Sequence, residues 1–492
     1  MFRIIQDMYH DSTLQLKFST GLSDNIKIQR GVKQGCVMSP TLFNTFINDL
    51  PEHFNDECHP VSLHDKKISC LLYADDLILL SETEKGLQNC LNILSVYCKD
   101  WKLKVNINKT KVMKFNKSGK KLARKFVYND VTLEIVKTYI YLGIQISTTG
   151  SFDGAIKLLG DKASKALARL KRIFILKDTN LKFYLSLFDK VIVPILLYAS
   201  EIWGAYTVIP SKSLAQDNIS GYSKTYFETF YMRFLKYCLG VHRKASNIAV
   251  YGELGKTPLS LKVMTRVCKN WLRIMNMDQN SLLFNAYKCH VEMSETNQSS
   301  WLKSVKDTLH AIGLQELWND HEMYYGDFPS YIFKKQITEK FQNQWQQEIM
   351  RQTDDSKLRT YKLFKNDLKF ERYLEVIKNF DIRKNITRLR ISAHNLYIET
   401  GRHRRPAKVP VNQRLCSLCQ NIEDEYHFVI SCKQHNIPRQ YFLEKIHNVF
   451  VDTASFSDQN LFTFIMKLED TELISMFEIF MRDCIAIRQK SL

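Results

Sequence analysis

Leu71-Leu72-Tyr73-Ala74-Asp75-Asp76-Leu77-Ile78-Leu79-Leu80 sets two adjacent carboxylates in the middle of an apolar run that holds no lysine or arginine. The pattern predicts two short strands turning near Ala74-Asp75-Asp76, a hairpin with its acids at the tip. Two like charges ~4 Å apart repel by roughly 1 kcal/mol in water and ~4 kcal/mol at a protein-surface dielectric. A hard divalent cation reverses that sign. Mg²⁺ takes carboxylate oxygens together with substrate phosphates, and a metal pair clamps the attacking and leaving oxygens of phosphoryl transfer. A plain solvated turn is the competing reading, because Asp-Asp pairs are common in loops.

Upstream stands Arg30-Gly31-Val32-Lys33-Gln34-Gly35-Cys36-Val37-Met38-Ser39-Pro40, followed by Thr41 to Leu50. The glycines let backbone approach a ligand, Pro40 suits a first helical turn, and Leu42, Phe46, Ile47 and Leu50 recur at helical spacing. This segment resembles motif B of a reverse transcriptase, and Tyr73-Ala74-Asp75-Asp76 resembles its motif C. Downstream, Gly86 to Met113 is similar to motif D and Tyr141-Leu142-Gly143-Ile144 to motif E, in the same order. Leu197 to Gly204, Phe234 to Val241 and Gly252-Glu253-Leu254-Gly255 resemble thumb and post-thumb signatures. Taken in order over residues 20 to 260, the chain resembles the reverse transcriptases of non-LTR, LINE-type retrotransposons.

The resemblance implies an RNA-directed DNA polymerase acting by two-metal nucleotidyl transfer in target-primed reverse transcription. Asp75 and Asp76 would be catalytic and hold Mg²⁺. Gln34, Gly35 and Tyr73 would face the nascent base pair, Lys109 or Lys111 the triphosphate, and Tyr141, Leu142 and Gly143 would grip the primer. The implied partners are an RNA template, a DNA primer or target DNA, and deoxynucleoside triphosphates. The family also carries a further aspartate on a strand before motif B, in motif A. Met1-Phe2-Arg3-Ile4-Ile5-Gln6-Asp7-Met8-Tyr9 reads instead as the helix between motifs A and B, and Asp7 and Asp11 read as surface residues. Two adjacent aspartates under-coordinate two ions. The chain alone is therefore expected to be inactive unless a longer element supplies the missing strand. The alternative is a non-catalytic nucleic-acid-binding remnant or co-opted retrotransposon protein.

Bulk properties agree with a polyanionic partner. The 492 residues carry a formal charge of +19 and are 45% hydrophobic, enough for several domains with ample core. Ser356 to Pro410 holds 15 Lys+Arg against 5 Asp+Glu, a net +10, just over half of the excess. Twelve cysteines, most of them scattered singly, fit a reducing, intracellular compartment, cytoplasmic or nuclear, rather than a disulfide scaffold. The longest apolar stretch, Val191 to Ala199, is broken by Pro194 and too short to span a bilayer, so no membrane role is expected.

A second constellation is Cys416-Ser417-Leu418-Cys419, His427 and Cys432, spaced C-x2-C-x7-H-x4-C. Thiolates and an imidazole at this density favour a tetrahedral, structural Zn²⁺, with His435 an alternative fourth ligand. The pattern, with the insert Glu423-Asp424-Glu425-Tyr426-His427-Phe428, resembles the C-terminal CCHC motif of LINE-type elements. Before it lies a basic run in which Lys384 to Leu396 is predicted helical, with Gly401 as a helix stop. Arg388, Arg390, Arg402, Arg404 and Arg405 are read there as a backbone clamp for nucleic acid, with nuclear targeting as a competing role.

The expected fold is α+β: a partial polymerase palm (sheet plus helices) over residues 1–150, then a largely α-helical remainder. That remainder divides into a thumb-like region (151–265), a helical connector (266–355), a basic segment (356–410), a small zinc-knuckle-like module (411–440) and a helical tail (441–492). In the thumb, Ile156, Leu159, Ala163, Leu167, Leu170 and Ile173 mark one helical face, with Lys157, Lys162, Lys165, Arg169 and Arg172 elsewhere.

Overall fold

The structure is a computed structural model that describes residues 2–28, 31–33, 35–115, 125–177, 179–208, 214, 222, 225–295, 301–319, 328–353, 355–404, 407–417 and 419–491. It divides into two compact units, Met1–Tyr139 and Ile140–Leu492. The division falls before the expected boundary at residue 150, and the hairpin of Thr138–Tyr141 with Ile144–Ser147 straddles it.

The first unit is built on the helix Glu84–Asp100. Thr83 caps it by accepting a hydrogen bond from the Gly86 main-chain N–H, and Glu84 lies in the first turn, where a negative charge suits the helix dipole. Its buried Leu91, Leu94, Tyr97 and Cys98 pack with Leu50, Val112, Phe126, Tyr128 and Leu133. Leu72, Leu77 and Leu79 lie against the same core, so one face of the carboxylate hairpin is anchored on this helix. Lys111–Val112 pairs in parallel with Glu134–Ile135, and Val127–Tyr128 pairs antiparallel with Val131–Thr132.

No continuous palm sheet forms among the described residues. Every sheet among the described residues has two strands. From Arg3 to Met38 no described side chain is buried, and Leu14, Phe18 and Leu22 on the short ribbons are exposed. Isolated two-stranded ribbons without a buried face gain too little to extend. The motif B helix is likewise shorter than its periodicity suggests: it spans Ser39–Phe46, Ile47 and Leu50 are buried beyond it, and Phe46 is exposed with its ring edge-on to Trp101.

The second unit is helical. One apolar cluster runs from Ile156 to Cys484 and draws on the thumb, connector, basic and zinc-knuckle segments alike. The thumb helix spans Asp153–Ile173 and buries Ile156, Leu159, Ala163, Leu167 and Leu170 as its periodicity predicts. Ile173, in its last turn, is exposed instead. The helix Tyr226–Leu239 is largely buried, with Phe234 stacked 3.9 Å from Phe188, and ends in Gly240 at φ 65°, a left-handed cap that suits glycine. The elements described within residues 266–355 are helices. No single helix among the described residues is long and apolar enough to cross a membrane.

Candidate functional site

Cys70–Tyr73 and Asp76–Leu79 form the predicted antiparallel hairpin, with Leu72 opposite Leu77 and Tyr73 opposite Asp76. Ala74 turns the chain at φ 50°. Asp75 and Asp76 are exposed beside Tyr73, which is 62% exposed. Neither carboxylate has an ion-pair partner among the described residues. The hairpin thus presents two unneutralised acids while its apolar strands are held from behind. Asp76 is the only aspartate on a strand among the described residues, and no third potential ligand joins the pair there. Asp7 and Asp11 are exposed, as expected, and Asp11 is paired with Lys27 at 3.2 Å.

The loop before the Ser39–Phe46 helix needs its glycines for conformation. Gly31 and Gly35 stand at φ 84° and 83°, with open space around the position of a Cβ. Ser39 donates to the Lys33 carbonyl at 2.6 Å and meets the Tyr9 hydroxyl at 3.2 Å, which ties the loop to the first helix, Phe2–Tyr9. Gln34 lies outside the described residues. Of the two lysines expected near a triphosphate, Lys109 is exposed and has no carboxylate partner among the described residues. Lys111 is engaged by Glu134 at 2.7 Å.

Tyr141-Leu142-Gly143 forms a tight turn in which Leu142 (φ 46°) and Gly143 (φ 82°) both take positive φ, the geometry of a type I′ hairpin. The Tyr198 hydroxyl donates to the Leu142 carbonyl at 3.0 Å, and the Trp203 indole N–H donates to the Tyr198 carbonyl at 2.7 Å. Two segments singled out separately in the sequence therefore support one another.

Cys416, Cys419, His427 and Cys432 converge, with one ligand atom from each within 4.8 Å of all the others. Among the described residues this is the one group of three or more candidate ligands. The Cys419 and Cys432 sulfurs are 3.9 Å apart, against ~3.8 Å for two thiolates on a tetrahedral zinc with ~2.3 Å bonds. His427 Nδ1 meets the Ser431 hydroxyl at 3.2 Å, while its buried Nε2 has no partner. That is the arrangement of a histidine ligand oriented through its other nitrogen. The cluster holds His427 rather than His435, whose Nδ1 donates to the Phe428 carbonyl.

Local geometry explains this convergence. The Cys416 main-chain N–H donates to Asn421 at 2.7 Å and Gln420 turns at φ 56°, folding the first two cysteines onto each other. His427–Ser431 is a single π-helical turn, capped by Asp424 Oδ1 accepting from the His427 main-chain N–H at 2.7 Å, and it delivers Cys432 at its end. Burial and the neighbouring thiols push Cys432 up to about 12. Burial also raises Cys419, but the Lys433 main-chain N–H and the thiols of Cys432 and Cys416 outweigh it and hold it below the ordinary thiol range. A cation would relieve both effects, since the thiolate is the metal-binding form. The donor set fits Zn²⁺.

The basic run is not a clamp along one helix. The first helix is Phe380–Arg390; a second, Tyr397–Thr400, ends at Gly401, which caps it at an ordinary φ and opens a 3₁₀ turn. Arg390 is 4% exposed and is held by Glu253 at 2.9 Å and Glu371 at 2.6 Å, so it cannot reach a phosphate. Arg402 is not part of a flexible link: it donates to Glu399 at 3.0 Å and to the Asp355 and Ser356 carbonyls. Arg404 is exposed and donates to the Tyr397 hydroxyl. Arg405 lies outside the described residues. Arg388, half-buried, donates to the Gly240 carbonyl at 3.1 Å. Glu425 of the zinc-knuckle insert is buried against Arg359, Ser392 and His394, which joins the basic segment to the knuckle. Desolvation raises its carboxyl, but His394 and Arg359 overcome this and hold it down at about 2.

Residues 1–146 match the reverse transcriptase (RNA-dependent DNA polymerase) family. Among curated proteins, the chain is 28% identical over 214 residues to a probable RNA-directed DNA polymerase from transposon BS of Drosophila melanogaster, covering 41% of this chain and 23% of that protein. It is 23% identical to the RNA-directed DNA polymerase from mobile element jockey of the same fly, covering 42% and 22%. To a Pol polyprotein from type-1 retrotransposable element R2 of Popillia japonica it is 31% identical over 136 residues, covering 26% and 22%. The chain thus aligns with under a quarter of each of these relatives. With the acid-tipped hairpin, the glycine loop and the motif E turn in family order, residues 1–146 carry a reverse transcriptase domain similar to those of these mobile-element polymerases.

Proposed function

We propose that the chain is part of an RNA-directed DNA polymerase that copies an RNA template from a DNA primer at its target. The observation that carries this is the hairpin tip: two adjacent, exposed, unpaired carboxylates on strands anchored by an apolar core. Asp75 and Asp76 would hold Mg²⁺, which would neutralise charge on the reacting phosphates. Gln34, Gly35 and Tyr73 would face the incoming base pair, Lys109 the triphosphate, and the Tyr141–Gly143 turn the primer end. Cys416, Cys419, His427 and Cys432 would hold a structural Zn²⁺. The site of action would be intracellular, where the nucleic acids are.

The described residues bring no third carboxylate to the hairpin tip, so the chain by itself is expected not to extend a primer. Primer extension on an RNA template with Mg²⁺ tests this, comparing the chain alone with a longer polypeptide that adds a fingers segment and an aspartate-bearing strand. The longer protein should extend, and Asp75→Asn should abolish extension. Persistent synthesis by the Asp75→Asn protein would remove the hairpin from the catalytic centre. The lack of a third carboxylate also favours a second reading, a non-catalytic nucleic-acid-binding remnant, which a longer protein that binds but never extends would support.

A further inference from the structure

The fold gathers two cations of the basic segment, Lys357 and Arg388, with others from outside it. Lys236 lies on the Tyr226–Leu239 helix, Lys357 in the segment before Tyr361–Phe364, and Arg388 on Phe380–Arg390. All three reach the same loop, Gly240 to Lys244. Lys236 Nζ donates to the Arg243 carbonyl at 2.8 Å, Lys357 Nζ to the Lys244 carbonyl at 3.4 Å, and Arg388 Nε to the Gly240 carbonyl at 3.1 Å. The loop adds three exposed side chains of its own, His242, Arg243 and Lys244.

None of these six side chains has a carboxylate partner among the described residues. The acid whose field Lys357 feels, Glu399, is already held by Arg359 and by Arg402, each at 3.0 Å. His242 Nδ1 accepts from the Lys244 main-chain N–H at 3.1 Å, which leaves its Nε2–H as an outward donor. Lys236, Lys357 and Arg388 each spend one hydrogen on a loop carbonyl and keep the rest. Burial followed by the nearby Lys357 charge lowers Lys236 to about 8, and burial with Lys357, Arg388, Lys236 and His403 lowers His242. Like charges collected in a partly dehydrated place, with donors to spare, are relieved by a bound anion.

We infer that the Gly240–Lys244 loop, backed by Lys236, Lys357 and Arg388, is a binding site for the phosphodiester backbone of a nucleic acid. The inference rests on the proposed handling of nucleic acid and assigns that contact to a specific place. The site would position a strand without reading its sequence, since it offers charge and simple donors rather than a base-edge pattern.

The test is the salt dependence of binding by the full chain to a labelled single-stranded RNA and to a labelled duplex DNA of arbitrary sequence. Arg243→Gln with Lys244→Gln removes two exposed charges and should leave the urea midpoint unchanged. It should make the slope of log affinity against log salt shallower by about 1.4 to 1.8 and weaken binding about tenfold near physiological salt. Arg388→Gln and Lys357→Gln should add to the effect. A loss on both nucleic acids supports a general backbone site, and a loss on one supports the site and identifies its strand. Lys162→Gln with Lys165→Gln, on the thumb helix, is the comparison. An unchanged slope for the loop variant, with a shallower one for the thumb variant, refutes the site while leaving nucleic-acid binding intact. Wild-type protein that binds neither probe at low salt refutes this site and the proposed function together.

Discussion

Glu228 offers a sharp test of the helical unit because its environment sets both the sign and the size of the effect. Its side chain is 1% exposed. Oε1 accepts from the Ser260 main-chain N–H at 2.7 Å and from the Ser260 hydroxyl at 3.1 Å, and Oε2 accepts from the Tyr251 hydroxyl at 3.2 Å. It therefore caps the first turn of Leu259–Met275 from another helix. Desolvation outweighs these hydrogen bonds and lifts its carboxyl from an ordinary 4.5 to about 7. The folded state holds the proton more tightly than the unfolded state, so stability is greatest below the unfolded pKa, falls as pH rises toward about 7 and is flat above it. At 1.36 kcal/mol per pH unit the loss is about 3 kcal/mol. Glu228→Gln keeps the shape and an acceptor for Ser260, and the Tyr251 hydroxyl can rotate to accept from the new amide. The variant should match wild type near pH 5 and exceed it by about 3 kcal/mol near pH 8, measured by urea unfolding of the full chain at each pH. Parallel losses by the two proteins between these pH values would show that Glu228 is not the titrating group.

Three further outcomes are expected. Cys419→Ser should reduce bound zinc from one equivalent, measured by metal analysis of reduced protein, because a structural zinc needs all four ligands and contributes ~10–16 kcal/mol in small modules; undiminished loading would exclude the Cys/His cluster. Arg390→Met should destabilise by about 3–5 kcal/mol by leaving the buried Glu253 without its cation, Glu371 keeping Lys365, yet leave the salt slope of nucleic-acid binding unchanged; a shallower slope would return Arg390 to the surface. Gly143→Ala should cost about 1 kcal/mol or more, since Gly143 sits at φ 82° and a Cβ would meet the Tyr198 ring at 3.3 Å, read as a lower urea midpoint; a neutral result would mean the turn adopts another geometry.

What was legible in the sequence was local. The acid-tipped hairpin is encoded in ten consecutive residues whose apolar flanks and turn specify their own geometry, and its observed register follows. The Cys/His cluster is similarly written into one short stretch, where spacing alone limits which side chains can meet. The π-helical turn that delivers Cys432 was not legible, because its i to i+5 bonding leaves no periodic signature in five residues. Nor does the sequence of the ribbons before the Ser39–Phe46 helix say whether a neighbouring strand will complete them.

Charge was the least legible property, for a physical reason. A run of arginines reads as surface until its acids are found, and those of Arg390 stand 137 and 19 residues away, at Glu253 and Glu371. Burial of that pair is tolerated because two carboxylates and the Met466 carbonyl satisfy one guanidinium. The same distance effect works in reverse at the Gly240–Lys244 loop. Its cations come from the helix Tyr226–Leu239, from the loop itself and from two places in the basic segment, and the fold brings them together where none has a carboxylate partner among the described residues. Local charge density therefore does not say which cations are free: the densest stretch spends Arg390, Arg402 and Arg359 on internal carboxylates. Arg388 and Lys357, from that same stretch, have carbonyl rather than carboxylate partners among the described residues, and their charge is what remains to attract a phosphate.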